Sequence, residues 1–258
     1  MNPDEPVLLS ARGASRTFPA SRGRDAVTAL APIDLEIRPT DRIGVVGESG
    51  SGKTTLVRLL AGLDHPTSGS VELAGAPLGS VGRIDLRRAV QIVFQDPRAS
   101  LDPAMTVGAS VAEPVACLRP GTDPRRRADE VAGLVGLDRT LLSRRPAQLS
   151  GGQCQRVAIA RAIACEPRVL LADEPVSSLD AAIREDVLDL FDRIATSTGA
   201  ALVVVSHDLG TILRLCRDVV VLRAGSVVAR GPAATTLGGS ADPYVRRLVD
   251  AIPRLAAH

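Results

Sequence analysis

The stretch Gly47-Glu48-Ser49-Gly50-Ser51-Gly52-Lys53-Thr54 constrains this chain more than any other, because it fits the phosphate-cradling pattern G-x-x-x-x-G-K-[ST]. A short apolar run, Ile43-Gly44-Val45-Val46, precedes it, and Leu56, Leu59, Leu60 and Leu63 follow at helical spacing. The pattern predicts a strand, a glycine loop and a helix to about Leu63. Three glycines allow the tight curl that turns backbone N–H groups, and the positive end of the new helix, toward one place. That place suits a polyphosphate. Lys53 is the sole lysine among 31 basic residues, the others being Arg. A compact ammonium can sit between phosphate oxygens where the rigid guanidinium fork cannot. A glycine-rich turn before an ordinary helix is the plainer reading of the same residues.

A length of 258 residues accommodates one large domain, or a core with a small subdomain, and a substantial apolar interior. Cys117, Cys154, Cys165 and Cys216 form no C-x-x-C pair and have no histidine at ligand spacing, so reduced thiols in a cytosolic setting are expected, with neither zinc nor disulfides. Apolar runs such as Ala200 to Val205 fall far short of the roughly 20 residues that span a bilayer. Met1 leads into Pro3, Asp4 and Glu5 with no basic-then-apolar start, and no secretory signal is expected. A net charge of +2, with Phe18, Phe94, Phe191 and Tyr244 as the aromatics, makes no case for nucleic acid as a partner. Arg125-Arg126-Arg127, between Asp123 and Asp129-Glu130, reads as a solvated helix start.

In chain order, Val7 to Arg38 reads as two or three antiparallel strands. After the glycine loop come a turn at Pro66-Thr67-Ser68-Gly69, a short strand Val71 to Leu73, and a buried strand Val90 to Phe94 ending in Gln95-Asp96-Pro97. From about 98 to 149 prolines punctuate short helical patterns, among them Ala128 to Val135. Ser150-Gly151-Gly152 then precedes a helix from Gln153 to Ala164. Buried strands Val169 to Ala172 and Ala201 to Val205 flank a helix from Ala181 to Ala195. Strands alternating with helices argue an α/β fold with a mostly parallel sheet. Residues 1–258 are expected to form a single domain, with a helical subdomain of about 98–165 inserted in the core.

Leu149-Ser150-Gly151-Gly152-Gln153, running into Gln155-Arg156 and Ala160-Arg161-Ala162, resembles the signature of ATP-binding cassette (ABC) proteins. Alone, Ser-Gly-Gly is most often a helix cap; following a phosphate loop, in this order, it is far more specific. The resemblance covers nearly the whole chain and implies a P-loop NTPase (RecA-like) core, an N-terminal antiparallel β subdomain and a helical insert. It implies that the loop from Gly47 through Ser49, Gly50, Ser51, Gly52, Lys53, Thr54 and Thr55 binds ATP. Thr54, Asp173 and Gln95 would lie at Mg²⁺, and Glu174 would orient the attacking water. Gln95 matches the Q-loop, Asp180 in Ser177-Ser178-Leu179-Asp180 the D-loop, and His207 the switch histidine at the γ-phosphate. Phe18 resembles the aromatic that stacks on adenine, although an ordinary edge or core aromatic is a rival reading.

Val93-Phe94-Gln95-Asp96-Pro97, Ser100-Leu101-Asp102-Pro103, Asp242-Pro243-Tyr244 and Ala251-Ile252-Pro253 resemble the ATPases of bacterial peptide and nickel importers. Asp102, where that group usually has Asn, and Thr40-Asp41, where it has Gly-Glu, depart from it. With no cysteine-containing tail after Pro253, an iron–sulfur cluster is not expected. In the family Ser150, Gly151, Gly152 and Gln153 complete the phosphate site of a second subunit, so the resemblance implies a dimer, identical or paralogous, closing around two ATP molecules. Two permeases and, indirectly, an extracytoplasmic binding protein are implied at the cytoplasmic face of the plasma membrane. An exporter ATPase shares these motifs. A soluble cassette of translation or DNA maintenance would usually carry two cassettes or a long coiled coil, and a GTPase would need a second lysine.

Overall fold

The computed structural model describes residues 5–20 and 25–250, which leaves Ala251-Ile252-Pro253 outside the described residues. The chain opens with two long antiparallel strands, β1 (Leu9–Phe18) and β2 (Val27–Ile37), paired from Leu9 opposite Ile37. After β3 (Arg42–Val46) and helix α1 (Lys53–Leu60), strands β4 (Ser68–Leu73) and β5 (Ala76–Pro77) complete a four-stranded sheet in the order β2-β1-β4-β5. Ser68 and Gly69, expected in a turn, belong to β4: Thr67 N–H donates to Ser15 O at 2.7 Å and its Oγ1 accepts from Thr17 N–H at 3.0 Å, drawing the segment onto β1. Helix α1 stops short of Leu63 because Gly62 takes a left-handed φ of +63°, the usual helix terminator, and Leu63 points into solvent.

The remaining elements alternate. Helix α2 (Arg83–Ala89) leads into β6 (Val90–Val93), and α3 (Val107–Leu118), α4 (Pro124–Leu134) and α5 (Gly151–Ile163) form a helical layer. Then come β7 (Val169–Asp173), α6 (Ala181–Thr198), β8 (Ala201–Val205), α7 (Leu209–Leu215), β9 (Asp218–Arg223), β10 (Ser226–Pro232), α8 (Ala233–Gly238) and α9 (Pro243–Asp250). A six-stranded sheet runs β10-β9-β3-β8-β7-β6, parallel except for the β9-β10 hairpin. The β6 strand ends at Val93 and lies at the sheet edge, where it is only half covered; Phe94 is exposed. The expectation of a fully buried strand through Phe94 therefore fails.

Two apolar cores lie on opposite faces of this sheet. Val45, Leu171, Val203 and Val205 join Leu56, Leu59 and Leu60 of α1 and the inner face of the antiparallel sheet. Their neighbours Val46, Leu170, Ala172, Leu202 and Val204 join Val157 and Ile159 of α5 and Phe191 of α6. Successive side chains on a strand point to opposite faces, so continuous Val/Leu/Ile runs are what a sheet covered on both sides needs. Arginines that cap helix ends fasten the helical layer internally and to α2. Arg88 of α2 donates to Leu118 O, at the end of α3, at 2.9 and 2.7 Å; Arg127 of α4 donates to Ala164 O, just past α5, at 3.2 Å. The architecture places the ends of β3, β7, β8 and β6, with the segments that follow them, at one edge of the parallel sheet, where α/β folds hold their ligands.

Candidate nucleotide site

The loop between β3 and α1 is held in a curl that only glycine tolerates at its first position. Gly47 has φ +154°, and a Cβ there would lie 2.2 Å from Leu222 O and 2.5 Å from Ser51 Oγ. Lys53, the first residue of α1, is buried and folds its ammonium back over the loop, donating to Gly47 O at 2.7 Å and Glu48 O at 2.8 Å. Ser49, Gly50 and Thr54 are exposed, while Ser51 is buried with its hydroxyl unpartnered. Burial pulls the Lys53 pKa below the ordinary lysine value, opposed by the charges of Glu174 and Asp173. Those carboxylates, far away in sequence, therefore share the lysine's field.

Asp173 ends β7 and is buried; its Oδ1 has no hydrogen-bond partner among the described residues. Burial raises its pKa, and the Thr54 hydroxyl beside it opposes that shift. A buried carboxylate oxygen without a partner, next to a hydroxyl, is a hard-oxygen donor set of the kind Mg²⁺ takes, since that ion uses one or two protein ligands and fills its remaining positions with water and phosphate. Among the described residues no group of three or more His, Cys, Asp or Glu is placed to hold a metal ion.

Glu174 follows with φ +50°, a left-handed backbone uncommon for a side chain of this kind and concentrated at functional positions. Its N–H donates to Val205 O at 2.9 Å, which ties it to the end of β8. From the next residues of that strand end, His207 brings Nδ1 to 2.9 Å from both carboxylate oxygens. Gln95 Nε2 donates to Ser177 Oγ at 3.4 Å, and that hydroxyl donates to Glu174 O at 3.1 Å. Three of the residues singled out in the sequence, Gln95, Glu174 and His207, thus belong to one connected group, with Ser177 as the link. Asp180 caps α6, accepting from Ile183 N–H at 3.0 Å.

Ser150 caps α5 in a reciprocal box with Gln153: Ser150 Oγ accepts from Gln153 N–H at 3.3 Å and Ser150 N–H donates to Gln153 Oε1 at 2.9 Å. Ser150 and Gly151 are exposed, while Gly152 packs against Ile183 of α6. Among the described residues no hydrogen bond joins this cap to the phosphate loop. It presents a helix N-terminus outward. Phe18 ends β1 as an exposed aromatic rather than a core one, with the Arg16 guanidinium 4.7 Å from its ring centroid. Thr55 lies within the first turn of α1 and is partly covered.

Sequence reasoning missed Tyr244, which is buried against the back of the phosphate loop and reaches Glu48 N–H with its hydroxyl. Its only sequence signal was a tyrosine next to Asp-Pro, read as a subgroup marker.

A glycine loop after a central parallel strand, a buried carboxylate at a neighbouring strand end and a Ser-Gly-Gly cap on a separate helical layer define a P-loop nucleotide-binding cassette. The model of the ABC transporter family matches residues 30–177, and the chain belongs to that family. It is 40% identical over 261 residues to the oligopeptide transport ATP-binding protein OppD of Mycobacterium bovis, a match covering 97% of this chain and 43% of that protein. The chain thus spans less than half of that relative. Identity is 38% over 258 residues to the di/tripeptide transport ATP-binding protein DppF of Pseudomonas aeruginosa, covering 96% and 80% of the two chains. Among solved structures, the dimeric post-hydrolysis state of the ATP-binding cassette MJ0796, bound to ADP and Pi, superposes with a TM-score of 0.78 at 29% identity, covering 88% of this chain and 99% of that one.

Proposed function

We propose that this chain is the ATP-hydrolysing subunit of a peptide importer of the ABC class. The observation that carries the reading is the meeting of Lys53, Asp173, Glu174 and His207 beside the glycine loop. Residues 1–258 act as one ATPase domain with the helical insert at about 98–165. The names of the related proteins favour peptides as cargo over nickel or another metal chelate.

The loop amides of Gly50, Gly52, Lys53 and Thr54 and the Lys53 ammonium bind the β- and γ-phosphates, while Phe18 offers a face to adenine. Thr54 and Asp173 would hold Mg²⁺, with Gln95 near it; the ion supplies charge neutralisation on the phosphate oxygens. Glu174 orients and polarises the attacking water, and His207 holds Glu174 in place while facing the γ-phosphate. The outward Ser150 cap, with Gly151, Gly152 and Gln153, completes the phosphate site of a second cassette, and Asp180 lies at that boundary. Closure and reopening of the pair drive two permease subunits at the cytoplasmic face of the membrane, supplied from outside by a binding protein. No helix among the described residues is long and apolar enough to cross a membrane.

ATP turnover of the purified chain against Glu174→Gln tests the reading. Hydrolysis by the parent and its loss in the variant is the expected result. Equal turnover would remove Glu174 from its role.

A further inference from the structure

Tyr244 is placed to act on the phosphate loop from behind, and we propose that it is a positioning residue for the loop's lysine. The proposal rests on the nucleotide-site reading above. The peptide unit joining Gly47 to Glu48 is gripped at both ends. Its carbonyl, Gly47 O, accepts from Lys53 Nζ at 2.7 Å, and its N–H, on Glu48, donates to Tyr244 Oη at 3.1 Å. A peptide is planar with C=O and N–H pointing opposite ways, so fixing the N–H fixes where the carbonyl points. Tyr244 thereby sets the direction of one of the two carbonyls that hold the ammonium.

The tyrosine is itself held on every side. Its hydroxyl donates onward to Leu222 O in β9 at 3.4 Å, and its ring is 2% exposed. Arg223 places its guanidinium 5.0 Å from the ring centroid. Asp242 Oδ1 accepts from Tyr244 N–H at 2.7 Å and Val245 N–H at 3.2 Å, which fixes the entry of α9 and hence the direction of the ring. On the same flank Gly225 N–H donates to Ser51 O at 3.0 Å. The loop is therefore braced by backbone from the β9-β10 turn and by a side chain from α9. Of these supports, the Tyr244 hydroxyl is the one that a point substitution removes without altering packing. Without it the 47–48 peptide is held from the carbonyl side alone, by Lys53, and the carbonyl and lysine are less tightly oriented before any nucleotide arrives.

Tyr244→Phe keeps the ring, its burial and the contact with Arg223, and deletes only the hydroxyl. The measurements are MgADP affinity by calorimetry, KM and kcat for MgATP, thermal unfolding, and hydrogen exchange of the loop peptide in nucleotide-free protein. The expected result is a weakening of MgADP binding and a rise in KM of about three- to tenfold, the effect of one lost hydrogen bond, with kcat within about twofold of the parent. Loop exchange is faster and the melting temperature little changed. Unchanged KM and affinity in a parent that binds nucleotide would overturn the proposal, as would a fall in kcat and melting temperature at constant KM, which marks a packing role. If the parent bound neither MgADP nor MgATP, the nucleotide-site reading would fall and this proposal with it. Loop exchange equal in the two proteins would overturn the brace by itself.

Discussion

Glu174 and His207 lock each other across the ends of neighbouring strands: His207 Nδ1 lies 2.9 Å from both carboxylate oxygens, and His207 N–H donates to Glu174 Oε1 at 3.0 Å. An ionised carboxylate only accepts, so Nδ1 carries the proton and a neutral ring turns the Nε2 lone pair outward. A phosphate oxygen also only accepts. The ring can therefore donate to phosphate from Nε2 only as the imidazolium, while Nδ1 stays on Glu174.

His207→Ala removes both the outward ring nitrogen and the partner that fixes Glu174. Turnover is expected to fall about 100-fold, the usual loss on deleting one preorganised group. Steady-state hydrolysis at saturating MgATP checks it, and a loss below about threefold would separate His207 from the reaction.

Glu174→Gln keeps shape and most contacts but removes the carboxylate charge. The expectation is a turnover loss of about 100-fold or more with MgATP binding retained. Light scattering of this variant with MgATP should show a dimer; a persistent monomer at high protein concentration counts against a site shared between two cassettes.

Asp173→Asn is expected to stabilise the nucleotide-free protein while abolishing magnesium-dependent hydrolysis. Burial raises the folded-state pKa of Asp173 above the ordinary 3.8, so between the two values the folded state binds more protons than the unfolded one. Stability therefore falls as pH rises through that window, and the loss persists at neutral pH. The amide has no charge to desolvate. Calorimetry should show a higher melting temperature at pH 7 and a smaller gain near pH 4.

Thiol labelling should find one reactive cysteine in the native protein. Cys117 is exposed, whereas Cys154, Cys165 and Cys216 are buried. Burial pushes the Cys165 thiol up to about 11 and the Cys216 thiol up to about 12, so neither offers thiolate at pH 8. Mass spectrometry after iodoacetamide treatment, with and without denaturant, reads one adduct against four.

Much of this architecture was legible because its signals are local. The Val/Leu runs of β7 and β8, the glycines after β3 and the Ser150 cap each follow from a short stretch of backbone. What sequence could not give were relations between distant segments. Phe94 continues an apolar run, but β6 has a neighbour on one side alone, and no local pattern distinguishes an edge from a centre. The helix after the glycine loop ends at Gly62 although Leu63 keeps the spacing, because terminator geometry outweighs periodicity. Tyr244 reaches Glu48 across 196 positions, and only the packing of α9 on the β9 end reveals the contact. Similarly, the proximity of Thr54 to Asp173 depends on β3 and β7 being separated by β8 alone.

The marginal place of β6 has a mechanical corollary. A strand laddered on one side is restrained about half as much as one in the middle of a sheet, and its sole neighbour is the strand that bears Asp173. Gln95 hangs from the free end of that strand, two steps by hydrogen bond from Glu174. The carboxylate end of β7 is thus joined, through one edge strand and two hydrogen bonds, to the segment that leads into the helical layer.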